Sequence, residues 1–133
     1  MKEVLLATLG YTISTFALAV GWHVVLFERQ YQAFGYFEGK PSFLIGLITI
    51  ILQGLILSIL FPMVRLTGSA VARGLKFSAI IGLFFWTSHV LAFVAKQSVP
   101  QASMFVLMES LYLVLQFGVF GLLLGIIHKN DNG

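Results

Sequence analysis

Four long apolar runs dominate this chain, and each is about as long as a lipid bilayer is thick. A helix needs about 20 residues to cross roughly 30 Å of hydrocarbon. The runs cover residues 4–27, 43–64, 77–95 and 102–127, and nearly all of the charged residues lie outside them. The pattern predicts four membrane-spanning helices and leaves little chain for a soluble domain.

Composition argues against a soluble alternative. The chain is 59% hydrophobic and 10% charged, whereas a soluble domain is about 25% charged. A chain of this size buries only about two-thirds of its surface, which is too little to hide so many apolar side chains. Backbone groups in lipid must bond internally, and the alternating polarity of a β-barrel is absent. The predicted fold class is therefore all-α, an integral membrane four-helix bundle forming one domain over residues 1–133.

The distribution of positive charge favours one orientation, with both termini in the cytoplasm of a bacterial inner membrane. Five basic residues fall on the side of the termini: Lys2, Arg65, Arg73, Lys76 and Lys129. Three fall on the other side: Arg29, Lys40 and Lys96. The aromatic-rich outer loop between Glu28 and Lys40 is expected to lie along the headgroup layer. His128 is expected to be solvated at the cytoplasmic boundary.

The scattered charges also indicate which partners to expect. A net charge of +3 without a basic patch interleaved with aromatics favours lipid headgroups and not nucleic acid. The absence of cysteine excludes a disulfide framework, a thiolate metal site and a cysteine nucleophile.

The two halves of the sequence resemble each other weakly. Residues 22–27 (WHVVLF) are echoed by 89–93 (HVLAF), and 52–54 (LQG) by 115–118 (LQFG). If the echo reflects duplication, the fold consists of two parallel-repeat helical hairpins related by an axis along the membrane normal.

Three ionisable residues within the spans form the most informative pattern. His23, His89 and Glu109 lie on three different helices, all roughly 6–11 Å below the outer boundary at 1.5 Å per residue. Such residues are costly in lipid and usually face the bundle interior.

Four interpretations of this layer remain open. The three side chains satisfy one another and hold the helices together. They bind a divalent metal such as zinc or iron. His23 and His89, on diagonal helices, ligate a haem b. They form a proton or ion pathway, although no charged residue continues it through the inner half.

Gln53 and Gln116 lie near the middle of the second and fourth helices. They are expected to bond to each other across the bundle, or else to line a polar substrate cavity.

Enzyme signatures are absent, including the nucleophile elbow and the phosphate-binding glycine loop. Thr87-Ser88-His89 places hydroxyls beside an imidazole, but adjacent helical residues face different directions. A non-enzymatic protein is expected.

Small residues spaced one turn apart predict close helix packing, within one chain or between chains. The pairs are Ala17 with Gly21, Ser78 with Gly82, and Gly121 with Gly125. Because four helices expose much apolar surface, a homo-oligomer or a membrane-protein partner is expected.

The chain resembles small bacterial four-helix integral membrane families that are catalogued as domains of unknown function. The resemblance lies in Gly21-Trp22, in the glycine spacing from Gly74 to Gly82, and in Gly121 to Gly125. It covers most of the chain and implies the topology without an activity. Two function classes follow: an accessory subunit or small transporter or channel, and a haem- or metal-binding protein centred on His23, His89 and Glu109.

Overall fold

Four long helices make up most of the protein, whose computed structural model describes residues 1–130. The helices are the first span (Lys2–Leu26), the second (Phe43–Met63), the third (Ala70–Lys96) and the fourth (Ala102–Ile127). A short loop helix, Glu28–Ala33, follows the first span. The described residues contain no strand, and all four spans are long and apolar enough to cross a membrane. The predicted all-α fold is confirmed, and the chain has the features of a multi-pass membrane protein.

The third span begins at Ala70, whereas the apolar run that predicts it begins only at residue 77. Ser69 caps it, because its hydroxyl accepts a hydrogen bond from the Ala72 N–H at 3.3 Å. Lys76 lies within this first part of the helix, and its ammonium donates to the Thr67 carbonyl at 2.8 Å. Hydropathy marks where lipid begins, whereas capping marks where the helix begins, so the two boundaries differ.

Two of the spans change their winding at the point where each carries its histidine. The first is α-helical over Lys2–Ala19 and π-helical over Val20–Leu26. The third is α-helical over Ala70–Trp86, π-helical over Thr87–Leu91 and α-helical again over Ala92–Lys96. Bonds between residues five apart mark the π turns, such as the Phe27 N–H to Trp22 carbonyl bond of 3.1 Å. π-Helical turns are often found at functional sites.

The spans lie in the order second, first, fourth, third. The first packs against the second and the fourth, and the fourth packs against the third. The described residues of the second and third spans share no extended backbone contact. They meet through side chains at one end of the bundle, where the Phe61 and Phe77 rings lie 5.2 Å apart. We call this the closed end, and the opposite end, which carries the loop helix, the loop-helix end.

The third and fourth spans touch backbone to backbone at three glycines. A Cβ added to Gly74 would clash with the Gly121 carbonyl, and one added to Gly125 would lie 2.6 Å from the Val71 Cα. Only residues without side chains allow this approach. The predicted pair of Gly121 and Gly125 therefore packs within the chain.

The other two small-residue pairs differ from each other. Ser78 is buried, and a Cβ on Gly82 would lie 3.1 Å from the Phe117 ring, so this pair also packs within the chain. Ala17 is exposed, and a Cβ on Gly21 would meet no described atom within 4 Å. The pair on the first span therefore takes no part in packing within the chain.

One prediction about the helix ends is wrong, and one finding about the outer loop was not predicted. His128 is only 3% exposed and packs against the Phe61 ring at 4.9 Å, because the spans converge at the closed end. The position of the outer loop along the headgroup layer stays a prediction, but two of its aromatic residues, Tyr31 and Phe34, are only 0% and 1% exposed. These aromatic side chains enter the bundle, where Tyr31 supplies a hydrogen bond to a buried carboxylate.

Candidate functional site

A fully buried carboxylate lies at the centre of the loop-helix end. Glu109, on the fourth span, has no exposed surface. Its Oε2 and Oε1 atoms lie 3.0 Å and 3.3 Å from His23 Nε2, on the first span. A buried charge without partners would be very costly. The structure therefore brings together two of the three ionisable residues that the sequence singles out.

The hydrogen bonds of His23 determine how many protons the pair holds. Its Nδ1 lies 3.1 Å from the Ala19 carbonyl, which can only accept, so Nδ1 carries a hydrogen. Its Nε2 faces the Glu109 carboxylate, so a further proton lies between these two groups. Whichever atom holds this proton, the pair is neutral overall.

The loop helix supplies a further partner to the carboxylate. The Tyr31 hydroxyl donates to Glu109 Oε2 at 2.8 Å and accepts from the Trp22 indole N–H at 2.7 Å. Hydrogen bonds to charged groups are stronger than neutral ones. Tyr31 therefore fastens the loop helix to the fourth span across 78 positions of sequence.

Three tyrosine rings enclose the His23 imidazole. Tyr36 stacks on it at 5.2 Å and 9°, while Tyr31 and Tyr112 each meet it edge-on at 4.5 Å. In the loop, burial raises the pKa of Tyr31 and of Tyr36 well above the usual value for a phenol, and the nearby Glu109 adds to both shifts. Both phenols therefore keep their protons at neutral pH.

His89 lies apart from this pair. It is half-buried, stacks on Phe85 at 5.8 Å and makes no hydrogen bond to any described residue. The described residues contain no group of three or more His, Asp or Glu close enough to hold a metal ion. Because both nitrogens of His23 are engaged, a metal or haem iron would have to displace Glu109 or the Ala19 carbonyl. Haem and metal binding stay predictions.

A cavity of about 330 Å³ lies beside the His23–Glu109 pair, with walls from all four spans and the outer loop. Its size is within the usual range for small-molecule sites. His23 and His89 both line it, whereas Glu109 stands behind His23. The polar residues of its wall are Thr15, His23, Tyr36, Ser42, Thr49, Gln53, His89, Tyr112 and Gln116.

The two glutamines of the wall are joined through a third residue. The Gln116 amide donates to the Tyr11 hydroxyl at 3.0 Å, and this hydroxyl donates to the Gln53 carbonyl at 3.1 Å. The predicted direct bond between the two glutamines is therefore not made, because the Tyr11 side chain lies between them. Both glutamines line the cavity, which is compatible with their other predicted role.

Sequence reasoning missed the tyrosines of this site. Tyr11 and Tyr112 lie within apolar runs, where hydropathy alone assigns them no polar role. Tyrosine in membrane proteins is usually found at the interfaces, so its place near the middle of two spans was a usable signal. For Tyr31 the sequence held no such signal, because an aromatic residue in a loop is ordinary.

The fold and this site define a class of protein, a multi-pass helical membrane protein with a buried ion-pair network beside a cavity. Comparison with protein-family models, with curated proteins and with solved structures gives no match to the chain. The resemblance to small four-helix families stays a prediction, and functional conclusions depend on the geometry alone.

Proposed function

We propose that this protein is a small transporter that binds a solute in the cavity and a proton at the His23–Glu109 pair. The observation that carries the proposal is the position of His23. One side of this residue forms part of the cavity wall, and its Nε2 meets the buried Glu109. A bound solute and a bound proton would therefore act on the same imidazole.

The chemistry of the pair suits proton binding. At rest it shares one proton beyond the Nδ1 hydrogen and is neutral. A second proton converts the carboxylate into a carboxylic acid, which leaves a positive imidazolium and removes its counter-charge. When the shared proton lies on His23, the second proton also weakens the bond from Tyr31, which is charge-assisted only while Glu109 is ionised. Protonation would thus loosen the loop helix, and with it the following loop residues Tyr36 and Phe37 of the cavity wall.

The shape of the bundle supports a transporter with access from one side at a time. The cavity lies towards the loop-helix end, while Phe61, Phe77 and His128 pack together at the closed end. Transport would require this aromatic contact to open as the other end closes, because alternating access depends on such rocking.

Orientation and assembly form part of the proposal. The distribution of Lys and Arg favours a bacterial inner membrane, with both termini in the cytoplasm and the cavity towards the outer side. A homo-oligomer or a membrane-protein partner is also proposed. Ala17 and Gly21 are the small-residue pair available for it, since Ala17 is exposed and a Cβ on Gly21 would meet no described atom within 4 Å.

Cysteine accessibility tests this proposal well, because the chain contains no cysteine. Thr49 lines the cavity, so a Thr49→Cys variant should react with a membrane-impermeant thiosulfonate added outside whole cells. Ile48→Cys is the matched control. It lies next in sequence, is exposed and is not in the wall, so in lipid its thiol should not ionise and react.

The proton site is tested in the same cells, and the alternation in inverted membrane vesicles, whose cytoplasmic side faces the reagent. Between pH 5 and 8, the reactivity of the Thr49→Cys thiol should change more than thiol ionisation explains, and a Glu109→Gln background should abolish the excess. Ser58→Cys, fully buried on the second span, should react slowly from the cytoplasmic side. Equal reactivity of the Thr49→Cys and Ile48→Cys variants would overturn the cavity, and no excess pH effect would overturn the proton site.

A further inference from the structure

We infer that the cavity takes an uncharged, lipid-soluble molecule with a planar ring and with both a hydrogen-bond donor and an acceptor. This inference rests on the proposed function and names the class of solute. It follows from the charge of the wall, the hydrogen-bonding groups that the wall leaves free, and the rings that line it.

The wall offers no net charge to an ionic ligand. None of the eight Lys and Arg residues lines it, and no Asp or Glu among residues 1–130 does. Glu109 is hidden behind His23 and shares a proton with it, so the pair contributes no net charge. His89 is the other imidazole of the wall, and an apolar surrounding disfavours the charged form of an imidazole. A charged ligand would lose its hydration without gaining a counter-charge.

The free polar groups include both donors and acceptors. In the chain from Gln116 through Tyr11 to Gln53, the Gln53 carbonyl and one Gln116 N–H are used. The Gln53 amide N–H groups and the Gln116 carbonyl are left for another partner. His89 adds one ring nitrogen that donates and one that accepts, neither bonded to a described residue. A ligand with one donor and one acceptor would satisfy these groups.

The apolar part of the wall is mainly aromatic. Six phenyl or phenol rings line the cavity: Phe16, Tyr36, Phe37, Phe43, Phe85 and Tyr112. Aromatic rings pack best against other rings, in edge-to-face or offset arrangements. A volume of about 330 Å³ accommodates one or two fused rings with a small substituent.

The route to the cavity favours a lipid-soluble molecule. The second and third spans both contribute to the wall, and their described residues share no extended backbone contact. A ligand dissolved in the bilayer could therefore pass between these spans without separating any extensively packed helix pair.

Three probes of one shape but different charge test the inference. They are 1-naphthamide (neutral, with donor and acceptor), 1-naphthoate (anionic) and 1-naphthylmethylammonium (cationic). Purified Thr49→Cys protein in lipid nanodiscs is titrated with each probe at pH 7.5, and protection of the thiol from a thiosulfonate is measured. We expect 1-naphthamide to protect, with each charged probe weaker by more than about a hundredfold.

Variants of the wall identify the groups that bind. His89→Leu should weaken protection by 1-naphthamide roughly tenfold, the size of a lost hydrogen bond, while His89→Gln should restore most of it. Ser88→Ala is the control, because Ser88 is exposed, bonds to the Phe85 carbonyl and lies outside the wall.

The outcomes separate the two proposals. A Thr49→Cys thiol that never reacts would overturn the cavity and with it the proposed function. A reactive, pH-sensitive thiol that 1-naphthoate or 1-naphthylmethylammonium protects as well as 1-naphthamide does would overturn only the solute class. Protection that is unaffected by His89→Leu would overturn the role of His89.

Discussion

The imidazole of His23 and the carboxylate of Glu109 meet at 3.0 Å, although they come from different spans and lie 86 positions apart in sequence. Around them the loop helix, the cavity and two π-helical turns come together. The pair therefore has structural consequences that can be measured without knowledge of the solute.

Removing one member of the pair should cost more than removing both. His23→Leu or Glu109→Leu leaves a buried polar partner unsatisfied and should destabilise the fold by about 3–5 kcal/mol. The double variant should regain much of this loss, and unfolding in mixed micelles measures each value. Glu28→Gln, an exposed change in the loop, is the control. Losses that simply add would contradict the pairing.

Tyr31→Phe should release the loop helix while leaving the spans intact. It deletes a hydrogen bond to a charged group, worth about 1.5–3 kcal/mol, and frees the Trp22 indole. Amide hydrogen exchange should quicken over residues 28–33 and stay unchanged in the middle of the fourth span. Tyr36→Phe is matched to it, because the Tyr36 hydroxyl has no hydrogen-bond partner among the described residues. Equal exchange in the two variants would count against the Tyr31–Glu109 bond.

The loop phenols should resist ionisation. Burial and Glu109 raise the pKa of both Tyr31 and Tyr36 above the ordinary 10.0. The folded state therefore keeps protons that the unfolded chain loses, so these groups leave stability unchanged below about pH 10 and lower it above that pH. Absorbance at 295 nm should show their ionisation well above pH 10 in folded protein and near pH 10 after unfolding. Titration of both near pH 10 in the folded state would refute this.

Gly74→Ala should destabilise the contact between the third and fourth spans. The added methyl would meet the Gly121 carbonyl, and such overpacking typically costs about 1–3 kcal/mol. Gly118→Ala on the fourth span is the control, since its Cβ would meet nothing within 4 Å. Unfolding monitored by circular dichroism compares them, and equal stability of the two variants would contradict the close approach.

Some features of this fold can be predicted from the sequence, and others cannot. The four spans follow from hydropathy because each apolar run is long enough to cross a bilayer. The order second, first, fourth, third could not be predicted, since short loops allow several arrangements of neighbouring helices. The third span's start at Ala70 depended on capping by Ser69 rather than on hydropathy.

The sequence predicts the depth of the site residues in the membrane but not the directions of their side chains. Depth along the helices placed His23, His89 and Glu109 in one layer, but depth does not say which way each side chain points around its helix. The π-helical turns change that direction, and no pattern in the sequence marks them. His23 therefore faces Glu109 while His89 faces the cavity, and Tyr31 enters from a loop whose aromatics suggested a place among the headgroups.

The distance along the chain between His23 and Glu109 has a consequence for biosynthesis. At 5–20 residues per second, the ribosome needs roughly 4–17 s to add the 86 positions that separate them. During this interval the first two spans can enter the bilayer while His23 has no carboxylate partner. Arrival of the fourth span supplies the acid, the proton and the anchor for Tyr31 together, so the site is assembled only when the last helix is inserted.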